Sequence, residues 1–219
     1  MVKTARTLVN FPYTKSCSTS YRVILRCKTT GRYLIIRRSD SKEYLTILRG
    51  NFAVADLVRL APKLTREEAD NLRMMNTNLY TVECLRAKVV ENRTQFFRKL
   101  PKIKMAVKLY SKNCPLKWAW PGGRMKSGET GKEAALRELF EEVGIRILAK
   151  TVDDTTIRDE ERVCGGRYVL NYHYMAEIKD EVKPRLTFES SDAIWCESKE
   201  LGNYLSEDMI RTITLPAKV

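Results

Sequence analysis

Three glutamates at helical spacing are the residues of this sequence best suited to chemistry. Glu138, Glu141 and Glu142 stand at positions i, i+3 and i+4, so a helix would place them on one face. Like charges at this spacing repel by about 0.2–0.5 kcal/mol per pair, and a divalent cation would remove that repulsion. Oxygen-only ligands suit Mg²⁺ or Mn²⁺ better than zinc. The alternative is an acidic helix face that contacts only solvent.

The helix that must position these carboxylates has recognisable ends. Thr130 followed three residues later by Glu133 is a capping box, which predicts a helix start at this point. Good helix formers follow at 134–136, and Gly144 is a typical C-terminal glycine. The spacing therefore predicts one helix that carries all three glutamates.

The residues around this helix resemble the signature of a known family, the Nudix hydrolases. Their box reads Gly, five residues, Glu, seven residues, Arg-Glu-apolar, one residue, Glu-Glu, one residue, Gly-apolar. Chance agreement over so many defined positions is very improbable. The positions are filled here by Gly123, Glu129, Arg137, Glu138, Leu139, Glu141, Glu142, Gly144 and Ile145.

This resemblance implies an α+β protein, the Nudix αβα sandwich with a mixed sheet, which hydrolyses a diphosphate linkage with Mg²⁺ or Mn²⁺. It implies that Arg137 pairs with Glu129 to hold the loop before the helix, while Gly144 ends the helix. The implied metal ligands are Glu138, Glu141, Glu142 and the carbonyl of Gly123.

A base must also accept the proton of the attacking water. Glu189 precedes Trp195 by six residues and resembles the Glu…Trp element that follows the box in many members of the family. We therefore expect Glu189 to be the base, with Glu142 as the competing candidate and Glu141 as a further catalytic glutamate. The alternative for Glu189 is an ordinary loop residue.

The rest of the chain predicts strands on both sides of a helical insertion. We expect a Nudix domain at 1–48 and 101–219, with an N-terminal arm at 1–20 and the insertion at 49–100. Thr65 and Glu68 form a second capping box within the insertion, and Thr81–Leu100 is expected to be one helical run. Strands are expected at 21–28, 32–38, 105–110, 118–120, 162–164, 167–178 and 193–196, with a last helix at 206–212.

The balance of charge is strongly basic, with 40 Lys+Arg against 27 Asp+Glu and a formal net charge of +13. Such an excess favours polyanionic partners such as RNA, although a basic surface can also serve solubility alone. The run Thr81–Leu100 is the candidate RNA-binding element, and its alternative is a solvated helix face. Its basic residues are Arg86, Lys88, Arg93, Arg98 and Lys99.

The helical insertion and the segment 37–52 together resemble the Nudix mRNA-decapping proteins of large DNA viruses. This resemblance implies hydrolysis of capped RNA to 7-methyl-GDP and RNA 5′-monophosphate, with Tyr44 and then Phe52 as candidates to stack on the cationic base. For both aromatics the alternative is a place in the core. The other functions that we considered are hydrolysis of diphosphoinositol or dinucleoside polyphosphates and, last, RNA binding without catalysis.

The cysteines and hydropathy exclude several other classes. Six cysteines lie scattered without a CxxC pair, and His173 is the single histidine, so a zinc site is not expected. We expect no disulfide framework, no membrane span and no obligate protein partner. These features favour a soluble protein of a reducing compartment, the cytoplasm, which would be that of the host if the protein is viral.

Overall fold

A mixed β-sheet forms the centre of the fold. The computed structural model describes residues 18–87, 89–90, 92–163, 167–187 and 189–214, so most of the expected N-terminal arm lies outside the described residues. In this part of the chain the strand order is β3-β2-β1-β6-β5, with β4 paired to β1 and β7 paired to β2. The strands are β1 (Ser18–Cys27), β2 (Tyr33–Arg38), β3 (Trp118–Ala119), β4 (Gly122–Gly123), β5 (Val152–Val163), β6 (Arg167–Ile178) and β7 (Ser190–Cys196).

The pairing of the strands explains how distant segments meet. β1 and β6 run parallel over their whole length, from Ser18 opposite Val169 to Cys27 opposite Ile178. The other described pairs are antiparallel, including β5 with β6 and β2 with β7. The sheet is therefore mixed, as the family resemblance implied.

Helices cover both faces of the sheet because the strands alternate their apolar side chains. On one face, residues such as Leu34 and Ile36 pack against the helix α6 (Gly131–Val143). On the other face, Ile24, Ile35 and Trp120 pack toward Leu201 and the helix α7 (Glu207–Thr214). The layers are helix, sheet and helix, and the α+β expectation is confirmed.

A helical region lies between β2 and β3. Its helices are α1 (Lys42–Leu48), α2 (Leu57–Leu60), α3 (Arg66–Met74), α4 (Thr77–Arg86) and α5 (Arg93–Tyr110), joined in part by short 3₁₀ turns. They share a core of their own, which includes Tyr44, Tyr80, Phe96, Ile103 and Val107. The helices extend beyond the expected 49–100 at both ends, and the division into two domains stays a prediction.

Two expectations for this region were wrong. The predicted strand at 105–110 is the end of α5, which continues through Pro101 because Ile103, Ala106 and Val107 meet the core at helical spacing. The predicted helix Thr81–Leu100 is two helices, with Asn92 accepting a hydrogen bond from the amide of Gln95 to cap the second. Tertiary packing keeps the helix intact across Pro101, a residue type that usually interrupts a helix.

Two further expectations concern membranes and cysteines. Among the described helices, none combines the length and hydropathy that a bilayer crossing needs. The described cysteines Cys27, Cys84, Cys114 and Cys196 are free thiols.

Candidate active site

The helix α6 has the ends that the sequence predicted. The hydroxyl of Thr130 accepts a hydrogen bond from the amide of Glu133 at 3.2 Å, and the carboxylate of Glu133 accepts one from the amide of Thr130 at 2.7 Å. Gly144 ends the helix in the left-handed region with φ of 71°. Leu139 and Val143 pack on the sheet. The helix is therefore fixed by both caps and by one apolar face.

Three carboxylates meet beside this helix. Carboxylate oxygens of Glu138, Glu142 and Glu189 lie within 4.8 Å of one another, and we call this set the carboxylate cluster. Glu189 reaches it from the turn before β7, where its carbonyl accepts a hydrogen bond from the amide of Ser39 at 3.0 Å. Pairing of β7 with β2 thus brings the expected base to the helix, although its role as a base stays a prediction.

Glu141 does not join the carboxylate cluster. Its carboxylate accepts hydrogen bonds from the ammonium of Lys126 at 3.1 Å and from the guanidinium of Arg137 at 2.8 Å. The three carboxylates that meet here therefore come from two helix glutamates and one loop glutamate. The assignment of Glu138, Glu141 and Glu142 as metal ligands stays a prediction. The position i+3 directs Glu141 toward the loop that precedes the helix rather than toward β7.

Two glycines let the backbone approach these carboxylates. The amide of Gly122 donates to a carboxylate oxygen of Glu142 at 2.8 Å. A Cβ added to Gly123 would lie 2.5 Å from the carboxyl carbon of Glu138, and one on Gly122 would lie 2.3 Å from the carbonyl oxygen of Tyr21. A larger residue at Gly123 would displace Glu138, and one at Gly122 would displace β1. The role of the Gly123 carbonyl as a ligand stays a prediction.

Burial makes this site electrostatically unusual. Glu142 is only 4% exposed, and burial raises its pKa to about 8, although the hydrogen bond from Gly122 and the charge of Arg38 oppose the shift. Burial also raises the pKa of Glu138, and the charges of Glu141 and Glu189 add to this effect against the stabilising Arg137. Adjacent buried carboxylates of this kind are stable together when a cation neutralises them.

Arg137 connects the helix to the loop that precedes it. Its guanidinium donates to the carboxylate of Glu129 at 2.6 and 3.1 Å and to the carbonyl of Arg124 at 2.9 Å. It also donates to Glu138 and Glu141, each at 2.8 Å. The pairing with Glu129 that the family resemblance implied is present, and it fixes the loop from Gly123 to Thr130 against the cluster.

The aromatic residues proposed for cap binding lie in the helical core. Tyr44 has no exposed surface, and its hydroxyl donates to the buried carboxylate of Glu83 at 2.7 Å. Phe52 is 9% exposed, with the ammonium of Lys99 lying 4.6 Å from the centre of its ring. Neither ring offers a face to a nucleobase in this structure. This burial favours the core alternative, and cap binding by Tyr44 or Phe52 stays a prediction.

Two of the basic residues proposed for RNA binding hold the helical region together. Arg86 donates to the carboxylates of Asp40 and Glu83, at distances between 2.7 and 3.1 Å. The ammonium of Lys99 donates to the carbonyl oxygens of Gly50 and Phe52 at 2.6 and 2.7 Å. These contacts are structural. Arg86 and Lys99 thus have a stabilising role in the helical region, and RNA contact by these two residues stays a prediction.

The other proposed residues differ from these two. Arg93 is exposed and donates to the hydroxyl of Thr81 at 2.8 Å, Arg98 is exposed, and Lys88 lies outside the described residues. Two further basic residues were not among those predicted, because Lys108 lies in the segment expected to be a strand and Lys102 lies between that segment and the expected helix. The available signal was that 93–110 contains six basic residues and no acidic one. Arg98, Lys102 and Lys108 are exposed, and we call this set the basic face of α5, although Lys108 lies about 120° around the helix axis from Lys102.

Comparison with known sequences identifies the class of protein. The family profile of the NUDIX domain matches residues 104–214, just over half of the chain. The chain therefore belongs to the Nudix family, for which a divalent metal ion is the typical cofactor. The carboxylate cluster fits such an ion, since all of its ligands are oxygens and its buried charges need neutralising.

Two curated relatives match shorter stretches. The chain is 45% identical to an 8-oxo-dGTP diphosphatase of Proteus vulgaris over 66 residues, covering 30% of this chain and 55% of the relative. It is 39% identical to an RNA pyrophosphohydrolase of Francisella philomiragia over 62 residues, covering 23% of this chain and 40% of the relative. The chain thus spans about half the length of the curated relatives that it matches.

Solved structures with similar shapes are also known. The dihydroneopterin triphosphate pyrophosphohydrolase of E. coli has a TM-score of 0.48 and 15% identity, over 91% of this chain and 94% of that chain. The NUDIX domain of Shewanella oneidensis NrtR, complexed with ADP ribose, has a TM-score of 0.49 and 13% identity, over 97% and 96% of the two chains.

Proposed function

We propose that this protein hydrolyses a phosphoanhydride bond, and that its substrate is the 5′ cap of RNA. The products would be 7-methyl-GDP and RNA with a 5′-monophosphate. The observation that carries the hydrolytic part is the carboxylate cluster of Glu138, Glu142 and Glu189, formed beside a complete Nudix box. No defined position of the box is lost, which favours an enzyme over a noncatalytic RNA-binding protein.

The residues of the chain divide the chemistry between them. A divalent cation held by Glu138 and Glu142 would neutralise charge on the phosphate oxygens and lower the pKa of the attacking water. Glu189 would accept the proton as the water oxygen attacks phosphorus and the anhydride bond to the leaving phosphate breaks. The amide of Gly122 would keep Glu142 oriented, and Arg137 would hold Glu138 and the loop in place.

The preference for RNA is supported by the basic face of α5. Arg98, Lys102 and Lys108 are exposed, and within the described part of the chain no carboxylate lies within 4 Å of any of them. Unpaired cations on one helix are available to the phosphates of an RNA body. The excess of 13 positive charges over the chain favours the same partner. One matched relative is also named an RNA pyrophosphohydrolase.

A second candidate is a small nucleoside polyphosphate. The observation that favours it is the 45% identity to an 8-oxo-dGTP diphosphatase over 66 residues. Dinucleoside and diphosphoinositol polyphosphates belong to the same class of substrate. None of these substrates needs the basic face of α5, so charge removal on that helix should leave their turnover unchanged.

Labelled substrate decides between the two candidates. RNA with a labelled 7-methylguanosine cap is incubated with the whole chain and Mg²⁺ or Mn²⁺, beside 8-oxo-dGTP, diadenosine polyphosphates and a diphosphoinositol polyphosphate. Glu138→Gln should abolish turnover, while the exposed Glu67→Gln should not. Release of 7-methyl-GDP supports the proposal. Turnover of a small substrate without release from RNA would replace it with the second candidate, and no turnover of any would refute both.

A second experiment tests the RNA-binding surface. Replacing the three residues of the basic face of α5 by alanine should weaken binding of single-stranded RNA and reduce the slope of log K against log salt by about 2. The control replaces three exposed arginines that already pair with carboxylates. An unchanged salt slope in the first variant would show that RNA binds elsewhere. The control arginines are Arg59, Arg73 and Arg211.

A further inference from the structure

Three arginines from separate segments converge beside the carboxylate cluster. Arg38 is the last residue of β2, Arg49 follows α1, and Arg124 follows β4. We call these residues the arginine cluster. Burial lowers the pKa of Arg49, and the charges of Arg124 and Arg38 lower it further. The positive charges of Arg38 and Arg124 therefore act on the guanidinium of Arg49.

The arginine cluster adjoins the candidate active site on two sides. Arg38 lies opposite Ser190 in the pairing of β2 with β7, directly beside Glu189. Alternation along β2 places Arg38 on the same face as Leu34 and Ile36, which is the face that α6 covers. Its charge accordingly lowers the pKa of Glu142. Arg38 thus points toward the space in which the carboxylates meet.

Arg124 approaches from the other side. It follows Gly123, whose backbone contacts the carboxylate of Glu138, and its carbonyl accepts a hydrogen bond from Arg137 at 2.9 Å. This hydrogen bond fixes the backbone of Arg124 while leaving its side chain exposed. The segments that carry Arg38 and Arg124 thus adjoin the carboxylate cluster from β2 and from the loop after β4, and the charges of both act on Arg49 of the helical region.

These arginines lack the partners that other arginines of the fold have. In the described ranges of the chain, no carboxylate oxygen lies within 4 Å of Arg38, Arg49 or Arg124, and the buried Nε of Arg38 has no hydrogen-bond partner. By contrast, Arg37 pairs with Asp192 at 3.3 Å. Cations held together without counter-ions destabilise a fold unless an anion binds between them.

We propose that the arginine cluster binds the phosphate groups of the substrate that lie beyond the two joined by the cleaved bond. The enzyme would then select substrates with a chain of three or more phosphates over those with a simple diphosphate linkage. Guanidinium groups suit this task because their planar forks match phosphate oxygens. This inference rests on the proposed function and deepens it, since the RNA cap contains a 5′–5′ triphosphate bridge.

The inference also assigns the helical region a part in the active site. Arg49 lies between α1 and the following turns, next to Gly50, which packs on the backbone of Phe96 in α5. A Cβ at Gly50 would lie 3.3 Å from that amide nitrogen. The start of α5 therefore positions the backbone that carries Arg49. The helical region would recognise phosphate near the reacting bond as well as any RNA body.

Calorimetric binding of inorganic triphosphate and pyrophosphate to the whole chain in Mg²⁺ buffer tests this inference. Arg49→Gln and Arg124→Gln, both at exposed positions, should each weaken triphosphate binding about tenfold and change pyrophosphate binding less than twofold. The control is Arg66→Gln, an exposed arginine at the start of α3, which should leave both affinities unchanged. Circular dichroism would verify that each variant is folded.

The possible results separate this inference from the proposed function. Wild-type affinity for triphosphate in Arg49→Gln and Arg124→Gln would overturn the inference, even if capped RNA is cleaved. An equal loss of affinity for triphosphate and for pyrophosphate would also overturn the inference, because the arginines would then bind the two phosphates joined by the cleaved bond. A selective loss of triphosphate affinity in the variants, together with no cleavage of capped RNA by the wild type, would support phosphate binding by the arginine cluster. It would contradict only the proposal that the protein removes RNA caps.

Discussion

Glu142→Gln should stabilise the metal-free protein, and more so as the pH rises. The carboxyl of Glu142 has a pKa of about 8 in the folded chain because it is buried, whereas an unfolded chain leaves it near its ordinary value of 4.5. The folded state therefore holds the proton more tightly, and folding is penalised progressively between pH 4.5 and pH 8. Below this range both states are protonated and the penalty disappears.

The size of the effect follows from the two pKa values. Each pH unit in this range corresponds to about 1.4 kcal/mol, so the penalty at pH 7 is about 3 kcal/mol. Glutamine is neutral at every pH and can still accept the hydrogen bond that the amide of Gly122 donates to Glu142. The variant should therefore lack the penalty while keeping this contact.

Urea unfolding with a chelator at pH 5, 6, 7 and 8 measures the difference between wild type and Glu142→Gln. We expect that difference to grow by about 3 kcal/mol over this range and to shrink when Mg²⁺ is added to the wild type. The same substitution at the exposed Glu67 should show no such trend. A difference between wild type and Glu142→Gln that stays constant with pH would refute the assignment of a buried, protonated carboxyl.

Three further substitutions test separate parts of the structure. Gly122→Ala should destabilise the protein by about 3 kcal/mol or more in urea unfolding, because its Cβ would lie 2.3 Å from the carbonyl of Tyr21 at a φ of 151°. Arg137→Lys should keep the fold but lower kcat about 10–100-fold, since an ammonium cannot replace the forked contacts. Tyr44→Phe should lower the free energy of unfolding by about 1 kcal/mol, because it removes one of the two donors to buried Glu83 and leaves only Arg86, and should leave the KM for capped RNA unchanged.

Matched controls make each of these outcomes decisive. Gly202→Ala, with space for a Cβ, should be nearly neutral, and a neutral Gly122→Ala would contradict the close packing. Arg66→Lys should keep full activity. Full activity in Arg137→Lys would show that the loop does not need the several hydrogen bonds that only a guanidinium group can donate. Tyr110→Phe, at an exposed residue, should not change stability. A raised KM in a folded Tyr44→Phe would restore the cap-binding expectation.

Local spacing was sufficient to predict the helix at the centre of the site. The capping boxes at Thr130 and Thr65 and the glycine at Gly144 are present as expected. Such features can be predicted from the sequence because each depends on groups three or four residues apart. Helix geometry alone sets the relative positions of these groups. The pairing of Arg137 with Glu129 spans only eight residues and was predictable from the family resemblance.

Other features depend on contacts that no short stretch encodes. The strand expected at 105–110 is helical because a core made of five helices buries Ile103, Ala106 and Val107. The same core removes Tyr44 from solvent, where its segment alone made it a plausible partner for a base. The strand propensity of 105–110 and the helix-breaking tendency of Pro101 were outweighed by the burial of these apolar side chains. Burial is a property of the assembled helical region.

The sequence by itself determined the family, the helix of the candidate active site and the acidic residues that this helix presents, because these follow from spacing along one element. Only the tertiary structure decided which carboxylates meet. Glu189 reaches Glu138 and Glu142 because β7 pairs with β2 across more than 150 residues of chain, while Glu141 stays with Lys126 and Arg137. Sheet pairing is a long-range interaction, and its register, rather than any local pattern, sets the composition of the site.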